Sequence, residues 1–280
     1  MKKIFRLSIV ILHLLLISKL SVAAIVDTVE TTSQAMHKKI KAVIIKPNDY
    51  DKLSVMPTVY LLHGYGGNYS DWVRNAPAVQ SLADEYHMLI VCPDGNISSW
   101  YLDSPVNPDW KYETYVGTEL VAWVDARYKT IKNRSGRAIT GLSMGGHGAL
   151  YLAFKHQDTF GAAGSTSGGV DIRPFPNNWK MANILGTYAE HPENWEKNTI
   201  INMTHLLTPG KLALIIDCGT EDFFYKVNVN LHDLLLLRNI PHDFYVRPGG
   251  HNSAYWANSI KYQLLFFHDY FIAQQKLAVK

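Results

Sequence analysis

Cysteine is nearly absent from this sequence, with Cys92 and Cys218 the only two in 280 residues. That excludes a small domain stapled by disulfides. No C-x-x-C pair occurs and no histidines stand at ligand spacing, so there is no metal signature. Charge is sparse too, at 18% of residues, and no block of one sign predicts a surface for nucleic acid or anionic lipid. No apolar run reaches the roughly 20 residues that a bilayer-spanning helix needs. No phosphate-binding glycine pattern follows the first strand, so no nucleotide cofactor is expected. Internal repeats and low-complexity tracts are missing as well. What is present, 47% hydrophobic and 12% aromatic residues, suits a folded enzyme rather than a disordered chain.

The first 24 residues read as a leader and not as fold. Met1 to Arg6 is basic, Leu7 to Ile17 is apolar except for Ser8 and His13, and Ser21-Val22-Ala23-Ala24 offers small residues for cleavage after Ala24. The apolar run is too short for a stable membrane anchor, so export to the periplasm or medium is expected. Loss of Lys2, Lys3, Arg6 and Lys19 with the leader lowers 27 basic residues to 23 against 24 acidic ones. The mature chain is then near neutral. Residues 25–280 fit a single α/β domain with a substantial core.

Along that domain the hydrophobic pattern alternates between strand and helix. Residues 25–38 and 39–45 read as an opening pair of strands. Thr58 to Leu62 and Met88 to Cys92 are continuous apolar runs, as in parallel strands covered on both faces. A helix is expected from Ser70 to about Tyr86 and another over 119–128. Further strands are expected at 161–165, 212–217 and 243–246, with helices over 227–238 and 256–272. This order predicts a mostly parallel, doubly wound sheet with helices on both faces. Residues 170–211 break the rhythm with Pro174, Pro176, Pro192 and Pro209, and a connection of that length reads as a lid-like insertion.

The chemistry centres on Gly141-Leu142-Ser143-Met144-Gly145, a G-x-S-x-G motif between an apolar strand and a helical pattern. In that context the turn aims the serine hydroxyl above the sheet, and glycines on either side remove Cβ atoms that would clash. A serine nucleophile needs a base and an orienting acid, which follow it in the order Ser, Asp or Glu, His. His63 precedes the serine, and His147 lies on its helix, where packing or pocket lining suits it better. His251, carried on the Pro248-Gly249-Gly250 loop after the last strand, is the expected base. Asp217, Glu221 and Asp222 compete as the acid. Asp222 is preferred because it lies past Gly219-Thr220, where a loop can reach the imidazole. The oxyanion donors are expected to be the N–H of Met144 and that of Tyr65, within His63-Gly64-Tyr65-Gly66-Gly67.

With these residues placed, the chain resembles the esterase D-like branch of α/β-hydrolases. That branch includes S-formylglutathione hydrolases, tributyrin-type esterases, mycolyltransferases, and feruloyl and acetyl xylan esterases of carbohydrate esterase family 1. The likeness runs from about residue 30 to 272 and is carried by Leu61 to Gly67, Cys92 to Gly95, Ser99 to Ser104, Tyr112 to Tyr115, the serine turn, Cys218 to Phe223 and Gly250-His251. The resemblance implies an α/β-hydrolase fold with Asp222 as the triad acid. Its sheet order keeps the strands ending in Cys92 and Cys218 several neighbours apart, so both thiols should be free. Relatives often carry tryptophan two residues after the base histidine. Ser253 stands there instead, which implies a more open pocket wall.

The activity so implied is that of an exported serine carboxylic ester hydrolase working through an acyl-enzyme on short-acyl or acylated-glycan esters. Trp100, Tyr101, Trp110 and Tyr112 are candidates for a platform under a sugar or aromatic acyl group, although aromatics in a long loop also serve simply to pack it. His147 and Trp179 complete the substrate-binding candidates. The alternatives are acyl transfer to a sugar hydroxyl, an S-formylglutathione hydrolase-like thioesterase, and a non-catalytic binding protein. The expected partner is the small-molecule or glycan ester itself; a homodimer is left open.

Overall fold

The computed structural model describes residues 24–278, so the leader expected over 1–24 lies, except for Ala24, outside the described residues. β1 (Ile25–Ser33), β2 (Lys38–Lys46), β3 (Thr58–Leu62), β4 (Leu89–Pro93), β5 (Arg137–Gly141), β6 (Ala162–Thr166), β7 (Ala213–Gly219) and β8 (Asp243–Arg247) form one sheet. Its order is β1-β2-β4-β3-β5-β6-β7-β8. The pairs β1–β2 and β2–β4 are antiparallel, and every pair from β4 to β8 is parallel. This is the α/β-hydrolase architecture.

The α-helices among the described residues are, in chain order, α1 (Asp71–Asn75), α2 (Ala78–Glu85), α3 (Tyr112–Thr114), α4 (Leu120–Arg127), α5 (Met144–Lys155), α6 (Ala182–Leu185), α7 (Pro192–Lys197), α8 (Tyr225–Leu237) and α9 (Ser253–Ala278). Period-2 alternation sends Val59 and Leu61 of β3 to one face and Tyr60 and Leu62 to the other. The first pair meets Trp72, Val79 and Ala83 of α1 and α2, and Ile260, Leu264 and Phe267 of α9. The second pair meets Leu120 and Val124 of α4, Leu150 and Phe154 of α5, and Leu231 and Leu235 of α8.

Several boundaries differ from the sequence reading. The first strand stops at Ser33 and pairs back through a turn that puts His37 at φ 51°. The helix expected from Ser70 to Tyr86 is two helices, because Pro77 drives Ala76 out of the helical region to φ −138°, ψ 67°. Helical spacing read from Glu119 starts earlier, since α3 runs through a π turn at Tyr115–Glu119 into α4. The closing helix extends to 26 residues. Segment 170–211 packs Val170, Ile172, Met181, Ile184, Leu185, Trp195, Ile200 and Met203 into the core, so most of it is anchored rather than standing off as a lid.

The chain leaves β3 for β4 on one side and returns to β5 on the other. At such a switch point the loops after the two strands splay apart and leave a crevice beyond their carboxyl ends. The loop after β3 carries His63 to Gly67, and the turn after β5 carries Ser143. Cys92 on β4 and Cys218 on β7 are both buried and unbridged, with β3, β5 and β6 between their strands.

At the opposite end of β5, Arg137 is clasped by Asp125 of α4 at 2.6 Å and by the Thr159 carbonyl at 2.9 Å. Only 5% of the Arg137 side chain is exposed. Removing the carboxylate by Asp125→Ala leaves a buried cation without its partner, and we expect a loss of about 3 kcal/mol. Urea unfolding should show a lower midpoint with an unchanged slope.

Candidate active site

Ser143 occupies φ 55°, ψ −116°, a conformation that a side-chain-bearing residue adopts only when its surroundings enforce it. The enforcing contacts are backbone. A Cβ at Gly145 would lie 2.5 Å from the Leu62 carbonyl oxygen, and one at Gly141 would lie 2.6 Å from the carbonyl carbon of Gly145. The Ser143 N–H donates to the Thr166 carbonyl at 2.9 Å, which ties the turn to β6.

Two further loops deliver the partners. Thr220 N–H donates to the Arg247 carbonyl at 2.9 Å and Glu221 N–H to the Gly249 carbonyl at 3.0 Å, so the loops after β7 and β8 travel together. Their approach leaves no room at Gly219, whose Cβ would fall 2.1 Å from the Gly249 oxygen. His251 Nδ1 then lies 2.8 Å from Asp222 Oδ2, and its Nε2 lies 2.9 Å from Ser143 Oγ. The other Asp222 oxygen accepts the Phe224 N–H at 2.8 Å, so the carboxylate cannot rotate freely. This pattern assigns the proton to Nδ1 and leaves Nε2 free to accept the serine proton. The competing acids go elsewhere: Asp217 is ion-paired with Arg247, and Glu221 is exposed.

Around Ser143 opens a cavity of about 410 Å³. Tyr65, Trp179, Phe223 and Trp256 give it aromatic walls, and Asp71, Asn75 and Ser253 give it polar positions. Among the described residues neither the Tyr65 nor the Met144 N–H has a hydrogen-bond acceptor. Both amides are therefore available to a developing oxyanion.

Four of the six substrate-binding candidates are packed away, which corrects the expectation of an aromatic platform. Trp100, Tyr101 and Tyr112 are buried in the core. Tyr101 donates its hydroxyl proton to the His63 carbonyl, and Tyr112 accepts from Lys38. His147 is fully buried, with Nε2 on the Asn198 carbonyl at 2.8 Å. Trp110 packs half-buried against the same core and does not line the cavity. Trp179 does line it, with Trp100 as backing at 5.6 Å between ring centroids.

Sequence reasoning missed Phe223 and Trp256, whose rings stand 4.3 Å and 4.9 Å from the His251 ring. Phe223 was legible as the neighbour of Asp222. Trp256 lies on the first turn of α9, five positions after His251, and lines the cavity together with Ser253. Asp71 and Asn75 also escaped notice, although their i, i+4 spacing would put them on one face of any helix there.

A protein-family model described as "Putative esterase" matches residues 33–267. An acetyl esterase of Caldicellulosiruptor saccharolyticus is 28% identical over 218 residues, covering 73% of this chain and 80% of that protein. The diacylglycerol acyltransferase/mycolyltransferase Ag85B of Mycobacterium leprae (strain TN) is 30% identical over 262 residues, covering 84% of this chain and 77% of that protein. Among solved structures, a ferulic acid esterase superposes with a TM-score of 0.76 at 28% identity, covering 88% of this chain and 99% of that one.

Burial pulls the pKa of His147 down to about 4 from the ordinary 6.5, against the opposing pull of the carbonyls of Asn198 and Trp100. Below about pH 6.5 the unfolded chain takes up a proton that the folded chain refuses. The stability held above that pH is therefore lost progressively as the pH falls towards 4. Replacing His147 by Gln, which keeps a donor for Asn198, should flatten the fall by up to about 1.4 kcal/mol per pH unit. Denaturant titrations at stepped pH between neutrality and about 4.5 measure the slope; an unchanged slope would contradict this account.

Proposed function

Since the chain belongs to the esterase D-like family of α/β-hydrolases and is a serine carboxylic ester hydrolase, we propose that Ser143 is its nucleophile, His251 its general base and Asp222 the acid that orients the base. Ser143 Oγ adds to the ester carbonyl while its proton passes to His251 Nε2. The carbonyl π pair moves to oxygen, where the Met144 and Tyr65 N–H groups receive it; one such donor contributes roughly 3 kcal/mol to the transition state. Asp222 stabilises the imidazolium that forms. The tetrahedral adduct collapses, the C–O bond to the alcohol breaks, and His251 returns the proton to the departing oxygen. Water then enters, loses its proton to His251 and releases the acid from Ser143 by the same steps in turn.

For the substrate we infer short-acyl esters of carbohydrate alcohols, met outside the cytoplasm after cleavage of the leader near Ala24. The supporting observation is the makeup of the cavity. Aromatic faces at Tyr65, Trp179 and Trp256 suit the C–H faces of a sugar ring, and Asp71, Asn75 and Ser253 offer hydrogen bonds to its hydroxyls. Asn75 and Ser253 are exposed, so their polar groups are open to those hydroxyls. The acetyl esterase relative accords with a small acyl group. A second reading, acyl transfer to a sugar hydroxyl by the same residues, draws on the mycolyltransferase relative. The export signal weighs against a thioesterase for glutathione adducts, whose substrate is cytosolic.

The test is turnover of p-nitrophenyl acetate and butyrate, methyl ferulate, acetylated xylan and S-formylglutathione. Acetyl release should dominate, and Ser143→Ala should lose about six orders of magnitude in kcat. Asp222→Asn should lose about four orders of magnitude with its fold intact. Ferulate cleavage without acetyl release would reject the short-acyl preference, and full turnover in Ser143→Ala would reject the mechanism. Product analysis with a glycan acceptor separates hydrolysis from transfer.

A further inference from the structure

Aligned peptides do not aim themselves, and the loop after β3 has to present one N–H to Ser143 with no regular structure around it. His63 lies at the start of that loop and is 1% exposed. Its Nδ1 lies 2.8 Å from the Gly64 carbonyl oxygen. Its Nε2 lies 2.8 Å from the Gly95 N–H. The Gly95 amide can only donate, so Nε2 must be the acceptor and Nδ1 must carry the proton. That leaves one state for this imidazole: neutral, protonated at Nδ1. Burial favours the neutral form, lowering the pKa against the opposing effects of the Gly64 carbonyl and of Asp94 and Asp71.

The carbonyl that His63 holds belongs to the same peptide unit as the Tyr65 N–H. No cis peptide occurs among the described residues, and in a trans peptide the C=O and N–H point in opposite directions. Holding the Gly64 oxygen towards the imidazole therefore turns the Tyr65 N–H away from it. The serine turn packs beside this peptide unit: a Cβ at Gly64 would be 2.5 Å from Leu142 Cδ1 and 3.5 Å from Ser143 Cβ. Three further bonds fix the frame: Tyr101 Oη donates to the His63 carbonyl at 3.1 Å, Gly66 N–H to the Ile97 carbonyl at 2.8 Å, and Gly67 N–H to the Gly64 carbonyl at 3.1 Å.

We propose that His63 is a positioning residue for the oxyanion hole: its imidazole, bridging the Gly64 carbonyl and the Gly95 N–H, aims the Tyr65 N–H at the reacting carbonyl oxygen. It touches no substrate and moves no proton. The proposal rests on the reading of Ser143 as nucleophile. It gives a job to a buried histidine that the order of the triad leaves out and to the buried Tyr101 that braces it.

The experiment compares wild type, Ser143→Ala, His63→Phe and His63→Asn with p-nitrophenyl acetate, together with inhibition by a short-chain trifluoromethyl ketone. That ketone takes up Ser143 Oγ and places an alkoxide where the oxyanion forms. His63→Phe keeps ring volume and loses both hydrogen bonds, so kcat should fall about 100-fold with KM within about twofold. Affinity for the ketone should fall by the same factor, because it resembles the transition state and not the substrate. His63→Asn keeps a donor near Nδ1 and should recover about tenfold of the loss. An inactive Ser143→Ala beside an unslowed His63→Phe would overturn the proposal while leaving the esterase reading intact; turnover surviving in Ser143→Ala would overturn that reading first. A His63→Phe that loses kcat but keeps its affinity for the ketone also overturns the proposal. If His63→Phe fails to fold, His63→Asn decides alone: lower kcat with weaker ketone binding supports the proposal, and unchanged kcat overturns it.

Discussion

The backbone at Ser143, held at φ 55° and ψ −116°, is the constraint on which the carboxyl edge of the sheet depends. A non-glycine residue in this region is strained by of order 1–3 kcal/mol and persists only where neighbours over-determine it. Here the neighbours are main-chain groups: the Leu62 carbonyl packed beside Gly145 and the Thr166 carbonyl that accepts the Ser143 N–H. The turn can sit against Leu62 only because position 145 carries no Cβ. Parallel pairing of β3 with β5 from Thr58 and Arg137 to Leu62 and Gly141 brings both strand ends to one level. The switch in strand order between them opens the crevice above. The strained serine, the His63–Gly67 loop and the cavity are thus three results of a single packing arrangement.

Much of this was legible in the sequence because the signals were local and forced. Continuous apolar runs marked strands buried on both faces, and the glycines around Ser143 are required by the turn rather than favoured by it. Placing His251 needed only chain order and a flexible loop. Choosing among Asp217, Glu221 and Asp222 was harder, because all three follow the same strand. The structure separates them by what each carboxylate meets: Arg247, open surface, and the imidazole with the Phe224 N–H.

What stayed hidden depends on contacts between segments distant in the chain. Trp100, Tyr101 and Tyr112 look like a binding platform when seen as a list of aromatics in one loop. Left-handed backbone at Trp100 and Tyr101, φ 52° and 59°, turns those side chains inward, and no residue type at those positions announces the turn. Tyr101 then meets the His63 carbonyl 38 residues earlier. Trp256 is the converse case, a helix residue that becomes cavity wall because α9 starts two residues after His251 and brings its ring to the imidazole. Pro77 needed no such knowledge, and the helix break it causes follows from sterics alone.

Three histidines near the serine show how partners decide what a side chain can do. An imidazole that shuttles a proton must be surrounded by groups content with both of its charge states. His251 meets that condition: Asp222 accepts from Nδ1 in either state, and a serine hydroxyl can donate to Nε2 or accept from it. His63 fails it, because a proton on Nε2 would face the Gly95 N–H and set two donors against each other at 2.8 Å. His147 fails it for another reason, since full burial costs its charged form too much. Residue type and proximity to Ser143 therefore do not distinguish the three. The distinction lies in which neighbours suit both charge states: beside His251 the serine hydroxyl can reverse its hydrogen bond, and the carboxylate accepts from Nδ1 in either state.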